Sequence, residues 1–254
     1  MKLEEQTSVK TVLITGASSG IGAGVAKAFA MNGARVAINF PTERERAAAQ
    51  VVLGEITGNG GEGLLVMADV RQEVQVESMV TEVLDSFGQL DVLINNAGVA
   101  KACLIEDTSL DDWQRTIDTH LKGTFLCTRS VLPHMYARNF GKIINTASQL
   151  AYKGAAAFSD YTAAKGGIIA FTRSLALEIG GRSINANCVA PGATITPMLE
   201  DVPDTVLEEI RSQIPKGSLA QVDDIVGSYL FLASEMASHY QGQCLSPNGG
   251  DAFL

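Results

Sequence analysis

Between residues 11 and 245 the chain alternates short apolar runs with longer stretches of helical spacing, and that alternation leaves few folds open. The apolar runs are 11–15, 35–40, 64–68, 90–95, 142–147, 184–189 and a short 242–245. They are apolar at consecutive positions rather than at every second one. Strands of that kind are buried on both faces, as in parallel sheets. Between them lie helical patterns at 20–31, 43–56, 73–87, 110–138, 159–179, 206–212 and 222–233. Asn32-Gly33, Gly88 and Gly180-Gly181 stand where helices should stop. Pro133 is expected to kink the long 110–138 stretch or to open its last segment. Strands alternating with helices predict a parallel sheet covered on both faces by right-handed crossovers. The fold class is therefore α/β: a doubly wound, Rossmann-type domain with a seven-stranded parallel sheet. No linker, repeat or shift in composition divides the 254 residues, so 1–254 reads as a single domain.

Composition narrows the function. A charge of −9 argues against a nucleic-acid or anionic-membrane binder. No apolar run approaches the about 20 residues of a membrane span. Cys103, Cys127, Cys188 and Cys244 form no C-x-x-C motif and read as reduced, buried thiols. No His/Cys/Asp cluster has zinc spacing, so no metal site is expected. The opening MKLEEQTSVK lacks the apolar core of a signal peptide, so the expected compartment is the cytoplasm.

Two constellations carry chemistry. The first strand runs into Thr15-Gly16-Ala17-Ser18-Ser19-Gly20-Ile21-Gly22. Gly16 allows a sharp exit from the strand, Gly20 lets backbone approach a pyrophosphate, and Gly22 lets the helix pack closely. Phosphate would sit on the first N–H groups of that helix, at the positive end of its dipole. An ordinary glycine-rich turn is the plainer reading of this stretch alone. The second constellation is Tyr161 and Lys165, which share a helix face at i, i+4 spacing. A phenol with a pKa near 10 needs help to act at neutral pH, and a nearby ammonium stabilises the phenolate. Ser148 closes the fifth strand, on the carboxyl edge where such sheets bind ligands.

Taken together these residues resemble the short-chain dehydrogenases/reductases. The similarity covers most of the chain: TGASSGIG at 15–22, Asp69-Val70, Asn95-Asn96-Ala97-Gly98, Ser148, Tyr161/Lys165, and Asn187 through Gly192 with Thr196. The resemblance implies interconversion of a secondary alcohol and a ketone. Ser148 would polarise the carbonyl and Tyr161 would exchange the proton. Lys165 would hold the ribose hydroxyls of a nicotinamide cofactor and tune Tyr161. It assigns Gly16, Ser18, Ser19, Gly20 and Ile21 to the cofactor phosphates, and Asp69 and Val70 to the adenine. Asn95, Ala97 and Gly98 fall beside the nicotinamide ribose, and Pro191, Gly192, Thr194 and Thr196 at the carboxamide. Residues 193–217 correspond to a substrate lid, with Met198 facing the site. Gln149, Tyr152 and Phe158 are expected at the substrate. A homotetramer built on the two long helices is the implied assembly.

One position departs from the family. An asparagine is usual where this chain has His120, in His120-Leu121-Lys122-Gly123-Thr124-Phe125. Either the histidine is a tolerated structural substitute, or it alters the proton relay with a group titrating near neutrality. The second strand ends in Phe40, where NAD-specific folds place an acid. Ser18, Thr42, Arg44 and Arg46 lie near, so NADP(H) is favoured and NAD(H) stays open. Among family branches the chain looks most like 3-oxoacyl-carrier-protein reductases, and alternatively like sugar or polyol dehydrogenases. A basic patch from Arg129, Arg138 and Arg173 would suit the first, and polar groups such as Gln149 and Asp160 the second. A non-catalytic dinucleotide sensor does not need a tuned tyrosine, and epimerases usually carry a further C-terminal substrate domain.

Overall fold

A computed structural model describes residues 11–200 and 202–253. The N-terminal decapeptide, on which the signal-peptide reading rests, lies outside the described residues, as does Asp201 of the acidic run. The strands are β1 (Thr11–Ile14), β2 (Arg35–Phe40), β3 (Glu62–Met67), β4 (Val92–Asn95), β5 (Gly141–Thr146), β6 (Ile184–Val189) and β7 (Cys244–Leu245). They form one seven-stranded sheet in the order β3-β2-β1-β4-β5-β6-β7. Every pairing is parallel. The order reverses between β1 and β4, and at that switch point a crevice opens beyond the carboxyl ends of the strands.

Side-chain alternation along the strands divides the core into two layers. Val12 and Ile14 of β1, with Val92 and Ile94 of β4, pack under Val25 and Phe29 of α1 (Gly20–Met31). Ala49 and Ile56 of α2 (Arg46–Gly58) and Ile225 and Tyr229 of α9 (Val222–Ala233) complete that layer. Leu13, Leu93 and Ile143 face the other way. They meet Val76 and Val83 of α3 (Glu73–Phe87), Leu126 and Val131 of α5 (Gly123–Arg138), and Leu175 of α7 (Ser159–Glu178). Each of these strands is thus covered twice, which is why its sequence lacks a polar face.

The long 110–138 stretch is not one helix. It is α4 (Leu110–Ile117), a π-helical turn over Asp118–Lys122, and α5. The irregularity expected at Pro133 falls instead at this wide turn, and Pro133 lies inside α5. A π turn inserts one extra residue and re-aims a side chain; here it turns His120 into the interior. The sequence reading also missed α6 (Leu150–Lys153), a single turn directly after the end of β5. The short helix of the 193–217 segment is longer than expected, α8 (Asp204–Gln213). β7 is shorter, because only Cys188 and Val189 of β6 find partners on it. No described helix is long and apolar enough to cross a membrane.

Candidate active site

Three side chains meet at the carboxyl end of β5. Ser148 follows the strand and is 7% exposed. Tyr161, from α7, stands close enough for the Ser148 hydroxyl to act on its phenol. One turn further along α7, Lys165 is 3% exposed. Its Nζ donates to the Thr146 carbonyl at 2.6 Å and stands 5.6 Å from the centre of the Tyr161 ring. Thr146 is itself fixed from below, where its hydroxyl meets the buried Tyr229 phenol at 2.8 Å.

Electrostatics here follow burial. Desolvation disfavours the charged form of each group. Burial pushes the Tyr161 phenol above its ordinary value, against the opposing pull of the Ser148 hydrogen bond. Burial also brings Lys165 down to about 7. The expected lowering of Tyr161 by a charged Lys165 is therefore not what the folded chain shows.

His120 reaches the same place from the π turn. It is 2% exposed, and its ring stands edge-on to Tyr161 with centroids 5.2 Å apart. Nε2 lies 2.7 Å from the Val99 carbonyl and 3.0 Å from the Val99 N–H, so it pairs with that residue in either neutral tautomer. Burial, aided by the Lys165 charge, lowers its pKa to about 3. The sequence reading of a group titrating near neutrality is corrected: the imidazole is neutral there. A side chain on Gly98 would collide with this ring.

The glycine turn lies across the crevice. Gly16 has φ +62°, and a Cβ there would come within 2.8 Å of Ala97 Cα. The turn is pinned by residues that the motif search passed over. Asn39 accepts from the Gly16 N–H at 3.2 Å and donates to the carbonyls of Val66 and Ala68. The Thr15 hydroxyl accepts from the N–H groups of Asn96 and Ala97 at 2.9 and 3.0 Å. Asn95 donates to Asn145 and Thr128, and Asn145 to Thr172, tying β4, β5, α5 and α7 together. A signal for Asn39 and Asn145 was present: each is a lone amide inside an apolar strand, where it must find partners.

Residues 16–251 match a family model described as enoyl-(acyl carrier protein) reductase. The chain is 40% identical over 246 residues to a (2S)-[(R)-hydroxy(phenyl)methyl]succinyl-CoA dehydrogenase subunit of Thauera aromatica, covering 96% of this chain and 97% of that one. It is 38% identical over 241 residues to the 3-oxoacyl-[acyl-carrier-protein] reductase FabG of Staphylococcus aureus, covering 95% and 97%. The solved structure of levodione reductase superposes with a TM-score of 0.90 at 32% identity, over 95% of this chain and 96% of that one.

This chain belongs to the short-chain dehydrogenase/reductase family.

As a short-chain dehydrogenase/reductase it is an oxidoreductase acting on CH–OH, and its cofactor is a nicotinamide dinucleotide. The residues present fit that group. Ser19 caps α1 without a side-chain hydrogen bond, which leaves the helix's first N–H groups open to a pyrophosphate. The Gly16–Ala97 contact brings two backbone segments together at the floor of the crevice. Asp69 is ion-paired to Arg71 at 2.6 Å beside the buried Val70. Pro191 and Gly192 press on the C-terminal segment, where a Cβ on Gly192 would meet Asn248 Cα at 2.7 Å. The Thr194 hydroxyl turns back onto the Gly192 carbonyl at 2.9 Å. Thr196 overhangs Gly20, within 3.4 Å of where a Cβ on that glycine would stand.

The expected substrate contacts divide. Phe158 stands edge-on to Tyr161 with centroids 6.3 Å apart, and Met198 is half exposed on the Pro197–Leu199 turn. Gln149 is buried, with its amide nitrogen 2.5 Å from Asp251, which also holds Lys153 at 2.6 Å. Tyr152 is half-buried and packs against the small cluster of Ala147, Ile168, Ile169, Cys188 and Ala190. Asp160 accepts from the Thr116 hydroxyl and the Tyr161 N–H, both at 2.7 Å. Two of the three arginines proposed as a patch are engaged, Arg129 with Glu73 and Arg138 with Asp91. Among the described residues no group of three or more His, Cys, Asp and Glu could hold a metal ion.

Proposed function

We propose that this enzyme reduces a largely apolar ketone, of the 3-oxoacyl thioester class, to its secondary alcohol with NADPH. The observation that supports the reading is the convergence of Ser148, Tyr161 and Lys165 beside the end of β5, with the Lys165 Nζ 5.6 Å from the Tyr161 ring centre. The dinucleotide, when bound, supplies hydride to the carbonyl carbon. Ser148 donates to the carbonyl oxygen and orients it. Tyr161 passes its proton to that oxygen as negative charge develops. Lys165, anchored on the Thr146 carbonyl, lies close enough to stabilise the phenolate left behind and to reach the ribose hydroxyls. Burial of Ser148 and Lys165 limits the water that would compete for the proton.

The choice of an apolar ketone over a sugar or polyol rests on the pocket's polar groups. Asp160 and the Gln149 amide nitrogen are engaged within the protein. Phe158, edge-on to Tyr161, and the half-exposed Met198 offer apolar surface. Residues 193–217 act as the lid: α8 buries none of its side chains, so little holds it to the body. Phe40 ends β2 without a carboxylate, and the Arg46 guanidinium lies 5.2 Å over its ring. Arg44 is exposed beside it. These cations and the missing acid favour NADP(H) over NAD(H). Phe125 and Tyr136 of α5 and Leu177 of α7 are exposed apolar residues on the helices expected to join subunits, and they support a homotetramer.

The test is oxidation of NADPH and NADH, followed by absorbance, with a 3-oxoacyl thioester, an enoyl thioester and simple ketones, and the reverse reaction with polyols. Turnover of the 3-oxoacyl thioester with NADPH that is lost in Tyr161→Phe supports the proposal. Turnover confined to the polyols or to the enoyl thioester overturns it.

A further inference from the structure

Two cysteines that are far apart in the chain become neighbours in the sheet. Cys188 of β6 and Cys244 of β7 stand opposite each other in the parallel register. Their side chains therefore leave the same face of the sheet. Both thiols are free. Adjacent strands lie about 4.8 Å apart, inside the Cα separation of about 4.4–6.8 Å that a disulfide spans.

The two sulfurs are not equivalent. Cys188 is 1% exposed and lies 3.1 Å from the Thr172 hydroxyl. Cys244 is partly exposed at the sheet edge. It shares the small cluster around Cys188 with Tyr152, and the neighbouring Cys188 thiol, the Tyr152 hydroxyl and the Arg173 cation hold its thiol below the ordinary value. Donors and a cation around one sulfur favour its thiolate, the nucleophilic form of cysteine. Burial favours the thiol at Cys188. The other two cysteines lack this arrangement. Cys127 is buried, which pushes it up to about 12. Cys103 belongs to a loop, its N–H on the Ala157 carbonyl.

We propose that Cys244 and Cys188 form a hydroperoxide-reactive dithiol, in which Cys244 is the attacking sulfur and Cys188 the resolving one. The Cys244 thiolate attacks the terminal peroxide oxygen. The O–O bond breaks, the second oxygen leaves as an alcohol or water after taking up a proton, and Cys244 becomes a sulfenic acid. The Cys188 sulfur then attacks the Cys244 sulfur. An S–S bond forms, the S–O bond breaks, and the hydroxide departs as water with the Cys188 proton. Two thiols are oxidised and one peroxide is reduced. The product staples β7 to β6 beside Ile168 and Ile169, on the helix that bears Lys165.

The experiment treats the full chain with a small excess of hydrogen peroxide, blocks remaining thiols by alkylation, and maps peptides without reductant. The expected result is one cross-linked pair, 188 with 244, a loss of two hydrogens from the intact mass, and full reversal by dithiothreitol. Cys188→Ser should leave a Cys244 sulfenic acid that dimedone traps, whereas Cys244→Ser should leave no adduct at Cys188. Full alkylation of both residues after peroxide overturns the proposal, as does a disulfide involving Cys103. The wild-type peptide map decides the matter even if a serine variant folds poorly.

Discussion

Lys165 and Ser148 are tied to the same strand end: the Lys165 Nζ donates to the Thr146 carbonyl at 2.6 Å, two residues before Ser148. The spacing between the group that would polarise a carbonyl and the cation that would support the proton donor is thus set by backbone. Tyr161 closes the triangle, its ring centre 5.6 Å from the Lys165 Nζ. Such a frame keeps its geometry without substrate, which is what electrostatic preorganisation requires.

Tyr161→Phe removes the proton donor and leaves its ring. The turnover number should fall by about 100-fold to 10,000-fold. Dinucleotide binding, followed by the fluorescence of the reduced nicotinamide, should change little. Ser148→Ala should lower the turnover number in the same way.

His120 should make the protein acid-sensitive. Its folded pKa is about 3, against an ordinary 6.5. Between those values the unfolded chain binds more protons, so the stability present above pH 6.5 is lost as pH falls toward 3, at about 1.4 kcal/mol per unit. Thermal midpoints measured from pH 7 to pH 4 should fall less steeply in His120→Asn than in the wild type. Parallel curves would show that the histidine is not buried neutral.

Lys165 works in the opposite pH range. Folding lowers it from 10.5 to about 7. Between these the unfolded chain again holds more protons, so this group favours folding increasingly as pH rises from 7 toward 10.5. Below pH 7 the buried ammonium carries its full cost. Lys165→Met should therefore be more stable than wild type at pH 6.5, by denaturant unfolding, with the gap narrowing by pH 9.

Arg44 and Arg46 distinguish the two cofactors. The double variant Arg44→Ala/Arg46→Ala should raise the KM for NADPH about tenfold, which is about 1.4 kcal/mol of lost phosphate contact, and leave the KM for NADH unchanged. Arg46 is paired with Glu43 at 2.6 Å, so Glu43→Gln should lower the KM for NADPH. Steady-state kinetics with each cofactor check both.

Asn39→Ala should destabilise the fold by about 2–4 kcal/mol in urea, since it strips partners from the Gly16 N–H and the Val66 and Ala68 carbonyls inside the core. The same change should weaken dinucleotide binding, because Gly16 shapes the turn.

Much of this was legible in the residues. The parallel sheet followed from apolar runs without a polar face, and Ser148, Tyr161 and Lys165 were identifiable because strand end and helix face are local properties. His120 was noticed as a departure, but its charge state depends on Val99, Gly98 and Lys165, which come from two other segments. Asp160 illustrates the same limit: its partner, the Thr116 hydroxyl, comes from 44 residues away in the chain.

What the sequence by itself determined is periodicity and punctuation: where strands and helices run, where glycine must sit, and which residue types share a face. Those are set by dihedral sterics and by the 2.0 and 3.6 repeats, which act over a few residues. Only the tertiary structure decided the rest. It placed the wide turn at Asp118–Lys122 rather than at Pro133, set Cys188 opposite Cys244, and buried His120 against the Val99 carbonyl. Each of these depends on desolvation or register between segments distant in the chain, and neither is written in any local stretch of residues.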